Sequence, residues 1–170
     1  MKESDVNKYT IIQMPLSDQK KASDIVRAFY KDVFENNDRK ALRRYFSPDA
    51  IFGGAIGDLV DSRTEFLEAA DVLMSLFEVN PKVSINIRID GGEWVAATTI
   101  IEATSTGSEL PLLIRGQLIA KVKNQQIVEW HSSTDYLSLF EQLGQIPKDT
   151  LPILTTGARL MWKGWAGGHT

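Results

Sequence analysis

The hydrophobic pattern changes at Pro81 from a mainly helical period to a strand period, and no other feature of the 170 residues constrains the fold as strongly. Before Pro81 the apolar residues recur at helical spacing. After it, Val83, Ile85, Ile87 and Ile89 alternate with Ser84, Asn86, Arg88 and Asp90, the repeat of a strand with one buried face. Helices come first and antiparallel strands second, which is the order of an α+β domain.

The helical half reads in three pieces. Ser23 is a favoured N-cap type and opens a helix whose apolar face is Ile25, Val26, Phe29, Tyr30, Val33 and Phe34. Asn36-Asn37-Asp38 breaks it. Ala41, Leu42, Tyr45 and Phe46 mark a second, short helix, which Ser47-Pro48-Asp49 ends. Ala50 to Phe52 is a short strand. The following Gly53-Gly54-Ala55-Ile56-Gly57 lacks the Gly-Lys-Ser/Thr ending of a phosphate loop. Ser62 with Glu65 forms a capping box, and Phe66, Leu67, Ala70, Leu73, Met74 and Phe77 extend a third helix to Asn80-Pro81.

The strand half continues through the hairpin signal Asp90-Gly91-Gly92. Long strands follow over 93–104, 110–123 and 126–134. Tyr136, Leu137, Leu139, Phe140 and Leu143 make a final amphipathic helix, stopped by Gly144 and Pro147. Strands of this length twist and curl. The expected architecture is a curved antiparallel sheet with the N-terminal helices on its concave face, enclosing a conical pocket of the kind small ligands occupy. The expected organisation is an N-terminal arm over 1–16, the domain over 17–147 and a tail over 148–170 that carries Trp162 and Trp165.

Composition removes several function classes. There is no cysteine, hence no disulfide framework, thiolate nucleophile or cysteine-based metal site. Only His131 and His169 offer imidazoles, so a multi-histidine metal site is not expected. A net charge of −3 without a basic cluster argues against nucleic acid. No apolar run approaches the length of a membrane span, and Met1-Lys2-Glu3-Ser4-Asp5 lacks a signal-peptide core. The expectation is a cytoplasmic protein without a membrane partner.

Two stretches carry a resemblance. Ile25-Val26-Arg27-Ala28-Phe29-Tyr30, then Asn36-Asn37-Asp38, Leu42, Phe46 and Ser47-Pro48-Asp49-Ala50, resembles the opening of the nuclear transport factor 2-like superfamily. Gln126-Ile127-Val128-Glu129-Trp130-His131, then Asp135 and Leu139-Phe140-Glu141-Gln142-Leu143-Gly144-Gln145-Ile146-Pro147, resembles the close of its SnoaL-like polyketide cyclase family. Together they cover roughly residues 20–147. The resemblance implies a cyclase, isomerase or dehydratase that works without metal or organic cofactor, using acid–base chemistry on a small apolar carbonyl compound. A non-catalytic binder of a hydrophobic molecule is the alternative. It also implies a homodimer formed through the sheet. The family's catalytic aspartate carries over to Asp135. Its histidine partner has no counterpart, because residues 93–115 contain no histidine, and Trp130-His131 stands in the reverse of the family's order.

The candidate residues each have two readings. An Asp135 in an apolar pocket would titrate in a useful acid–base range, but aspartate before Tyr136 also serves as a helix N-cap. His131 suits proton transfer if it faces the pocket. Strand alternation puts Glu129, His131 and Ser133 on one face and Trp130 on the other, so one of His131 and Trp130 faces in. Tyr30, by analogy with the superfamily's ketosteroid isomerases, would stabilise an enolate oxygen, or else simply pack in the core. Trp94, Trp130 and Arg115 are the candidate ligand-binding residues, with core, interface and solvated-surface roles as the alternatives.

Overall fold

The computed structural model describes residues 20–78 and 81–161. The expected arm over 1–16, Asn80, Trp162 and Trp165 lie outside those residues. Helix α1 spans Ala22–Tyr30 and runs directly into a π-helical turn, Lys31–Glu35. Its N-cap is Lys21, not Ser23. The Asp24 carboxylate accepts the Lys21 backbone N–H at 3.2 Å, and Ser23 is buried with its hydroxyl donating to Asp90 Oδ2 at 2.6 Å.

The widened turn is held by Asp32. Its carboxylate accepts from Asn36 Nδ2 at 3.2 Å, Arg44 Nη2 at 3.2 Å and Tyr45 Oη at 2.8 Å. The last two belong to helix α2, Ala41–Tyr45, so the turn is tied to its neighbour. That contact pushes the half-buried Tyr45 phenol up to about 12, through desolvation first and the adjacent Asp32 carboxylate second.

Strand β1, Phe46–Gly54, is longer than the expected three residues and takes in Phe46 and Pro48. Pro48 is tolerated because β1 is an edge strand, with an irregular register between Phe46 and Ile51. A short 3-10 turn (Gly57–Leu59) leads to α3, Arg63–Met74. Here the Ser62 hydroxyl accepts the Glu65 N–H at 3.2 Å, while Glu65 Oε2 accepts the Asp61 N–H at 2.8 Å. The helix stops before the expected Phe77, which instead forms a bridge to Ser105.

Four strands follow: β2 (Lys82–Gly91), β3 (Trp94–Thr104), β4 (Pro111–Lys123) and β5 (Gln126–Thr134). The Asn124-Gln125 turn has φ of 49° and 62°, the left-handed pair of a type I′ hairpin. The sheet order is β1-β5-β4-β3-β2. Three pairs are antiparallel as expected, but β1 pairs parallel to β5. Parallel pairing needs a long crossover, and the whole β2–β4 meander intervenes. A bulge at Arg88 shifts the β2 register, so Ile89 turns outward to 63% exposure and Asp90 comes inward to meet Ser23.

The core sits between the concave face and the helices. Phe46, fully buried, contacts the rings of Phe29, Phe52, Phe66 and Trp130 at centroid distances of 5.3–5.6 Å. Helix α4, Tyr136–Gln142, closes one end by burying Leu139 against Leu112 and Ile114. The Gln142 side chain clamps it to β4 by bonding both the N–H and the C=O of Leu113, at 2.8 and 3.1 Å. The expected tail contains one further helix, α5 (Thr150–Thr155). Among the described residues no helix is long and apolar enough to cross a membrane.

Candidate functional site

Between the concave face and α1, α3 and α4 lies a cavity of about 120 Å³. Its walls are mostly aromatic and aliphatic: Phe29, Phe34, Phe66, Leu73, Met74, Ile101, Ile114 and Trp130. Alternation in the strands decides what else reaches it. Thr99, Gly116 and Thr134 pair across three adjacent strands and form one inward-facing row, with Ser132 one step along β5. Tyr30 enters from α1 and Tyr136 from the first turn of α4.

Two hydroxyl pairs result. Tyr30 is buried, and desolvation raises its phenol far above the usual range; a hydrogen bond with the Thr99 side chain opposes this, and the nearby Tyr136 adds to it. Tyr136 is raised by burial, offset by a hydrogen bond with the Thr134 side chain. Both phenols are therefore neutral O–H groups throughout the physiological range. The Tyr30 ring is fixed by stacking on Phe34 at 5.3 Å and by Trp130 at 6.0 Å.

The structure separates the residues that sequence reasoning had grouped. Trp130 faces in, 4% exposed, so His131 faces out, with its side chain 46% exposed. The imidazole lies over Gly53 of β1, where any Cβ would collide with the ring, and 3.8 Å from Glu129 Oε2. Asp135 follows the inward Thr134, points to solvent and accepts the Ser138 N–H at 3.0 Å as the N-cap of α4. The capping reading is thus observed, and neither Asp135 nor His131 is among the residues that line the cavity. Trp94 is on the outer face, 38% exposed, with Lys121 Nζ 4.9 Å from its ring centroid. Arg115 borders the cavity beside Gly116 but is itself exposed. Of the six expected residues, Tyr30 and Trp130 are brought together inside. Among the described residues no group of three His, Cys, Asp or Glu side chains is placed to hold a metal.

Sequence reasoning missed Thr99, Gly116, Thr134 and Tyr136. A signal existed: Thr99 is a polar residue at the inward parity of Val95, Ala97 and Ile101, and Gly116 interrupts a strand interior.

Residues 26–130 match the model of the SnoaL-like domain family. The chain belongs to that family. Solved structures share the fold. IdmH from Streptomyces antibioticus, a candidate polyketide cyclase, is 22% identical, with 74% of this chain and 99% of that one covered and a TM-score of 0.58. A candidate isomerase from Rhodopseudomonas palustris is 14% identical, with 76% and 99% covered and a TM-score of 0.59. A protein with a ketosteroid isomerase-like fold from Catenulispora acidiphila, solved with trimethylamine, is 17% identical, with 71% and 92% covered and a TM-score of 0.57. At these identities the likeness concerns the fold, and no curated protein matches the sequence. The match between residues 26 and 130 takes in α1 from Val26 onward, α2, α3, strands β1 to β4 and β5 as far as Trp130, but not Asp135 or α4.

Proposed function

We propose that this SnoaL-like protein binds a small, neutral, largely apolar molecule in the cavity beneath α1. The observation that carries this reading is the lining: mostly apolar side chains with a few hydroxyls, joined by Gln117 and, at the border, the exposed Arg115, and with no carboxylate or imidazole among the lining residues. An apolar cavity of about 150 Å³ holds a benzene, so about 120 Å³ suits a single ring or a short branched chain. Cationic ligands are disfavoured because no carboxylate in the lining repays their desolvation, and the single charged lining residue, Arg115, is exposed at the border. The test is titration with toluene, followed by thermal unfolding and by NMR of the Trp130 indole N–H. Binding raises the unfolding temperature and shifts that resonance; a titration that moves neither removes the proposal.

A second reading, isomerase or cyclase activity, is favoured by one observation: the Tyr30 phenol is held protonated inside the cavity, where it can donate to a carbonyl that gains charge. Deuterium incorporation into cyclohexanone in D2O, accelerated by the protein and lost in Tyr30→Phe, would establish it. We infer further that the outer sheet face pairs two copies. Trp94, Ile100 and Ile119 are exposed there beside Lys121 and Glu129, themselves 3.3 Å apart. Light scattering tests this: Ile119→Lys should convert a dimer to a monomer, and a monomeric parent protein refutes it.

A further inference from the structure

Beside the cavity of about 120 Å³ lies a second hollow of about 20 Å³, room for roughly one water molecule. Three side chains line both: Phe34, Met74 and Phe77. They are therefore the wall between the two. On its far side the small hollow is bounded by Asn37 and Arg39, just before α2, and both are exposed, so it lies at the surface of the domain.

Two parts of this wall are fixed. Phe34 belongs to the π-helical turn that Asp32 ties to α2. Its ring stacks on Tyr30 at 5.3 Å and meets Phe29 edge-on at 6.4 Å. Phe77 is bridged to Ser105, and the N–H of the next residue, Glu78, donates to the Thr104 carbonyl at 2.8 Å. Met74 differs from both. It is buried, it is the last residue of α3, and its unbranched side chain turns about three bonds.

We propose that Met74 is the specificity-determining residue that limits the length of the ligand. Its side chain closes the cavity behind a single ring with a substituent of one or two carbons. Aryl compounds with a longer chain are shut out, because that chain would have to run past Met74 into the hollow beside Asn37. This rests on the proposed binding of a small apolar molecule and sets the upper limit of its size.

The test is NMR titration of the full chain with toluene, ethylbenzene, n-propylbenzene and n-butylbenzene. In the parent protein affinity should stop rising beyond ethylbenzene. In Met74→Ala it should keep rising, about fourfold for each methylene buried. The Asn37 side-chain amide should then shift with n-butylbenzene and not with toluene. Met74→Val shortens the same side chain with a smaller loss of volume and serves if the alanine variant does not fold. Met74→Leu conserves the volume and should keep the parent's limit. A continued rise in the parent protein, no rise in the shortened variants, or an unmoved Asn37 amide overturns the role of Met74, while toluene binding keeps the cavity reading. If toluene does not bind the parent protein, the cavity reading itself fails and takes the length limit with it.

Discussion

Phe46 is the residue on which the two layers of the domain depend most, and replacing it with alanine tests that packing. It is the first residue of β1 and fully buried. Its ring meets Phe29 of α1 at 5.4 Å, Phe66 of α3 at 5.6 Å and Trp130 of β5 at 5.6 Å. Phenylalanine-to-alanine changes in cores cost about 3–5 kcal/mol. The upper half of that range is expected here, because surrounding rings drawn from three separate elements cannot all move into one void. With a slope near 2 kcal/mol per molar urea, the unfolding midpoint should fall by about 2 M. Phe46→Leu keeps most of the volume and should cost less than about 1.5 kcal/mol. The assay is urea unfolding followed by tryptophan fluorescence and by circular dichroism, whose coincidence checks two-state behaviour. A Phe46→Ala loss below about 1.5 kcal/mol would refute the argument, since the ring could not then be the shared contact of α1, α3 and β5.

Three further outcomes are expected. Burial raises the Tyr30 phenol, so the folded protein holds that proton more tightly; the stabilisation is complete below the ordinary tyrosine value near 10 and is lost as pH rises through the folded value. Stability should therefore decline above pH ~10, by at most about 1.4 kcal/mol per pH unit from this group, and Tyr30→Phe should flatten the decline measured by urea unfolding; an identical slope in the variant counts against the buried phenol. Asp135→Ala should cost about 1 kcal/mol through loss of the α4 N-cap while toluene affinity stays within twofold; abolished binding with intact folding would return Asp135 to the site. Ser23→Ala removes the hydrogen bond joining α1 to β2 and should cost about 1–2 kcal/mol, because the Asp90 carboxylate loses its buried donor; Asp90→Asn should cost less, and the reverse order would show that the carboxylate is satisfied by solvent.

Much of the fold is legible in the residues because local physics suffices. The strands 94–104, 111–123 and 126–134 fall within a residue or so of their expected limits, since alternation persists along each and turn residues bound them. Ser62 and Glu65 cap α3 because the interaction is contained within one turn. Misreadings arise where a distant partner takes over a local signal. Ser23 looks like a cap but bonds Asp90, 67 residues away. Phe46 fits a helical face but joins β1, because the aromatic cluster and the β5 edge claim it. Phe77 fits α3 but bridges to Ser105.

The site divides in the same way. By itself the sequence determined the α+β order, the strand parities that oppose Trp130 to His131, and Tyr30 on an apolar helix face, all properties of neighbours along the chain. Only the tertiary structure decided which parity faces inward, because that depends on the side to which α1 packs. Only the register across β3, β4 and β5 sets Thr99, Gly116 and Thr134 in one row, and only the docking of α4 brings Tyr136 to it. A cavity lined by several strands and helices has no signature in any one of them; it exists where they meet, and its position is set by the packing that buries the rest of the core.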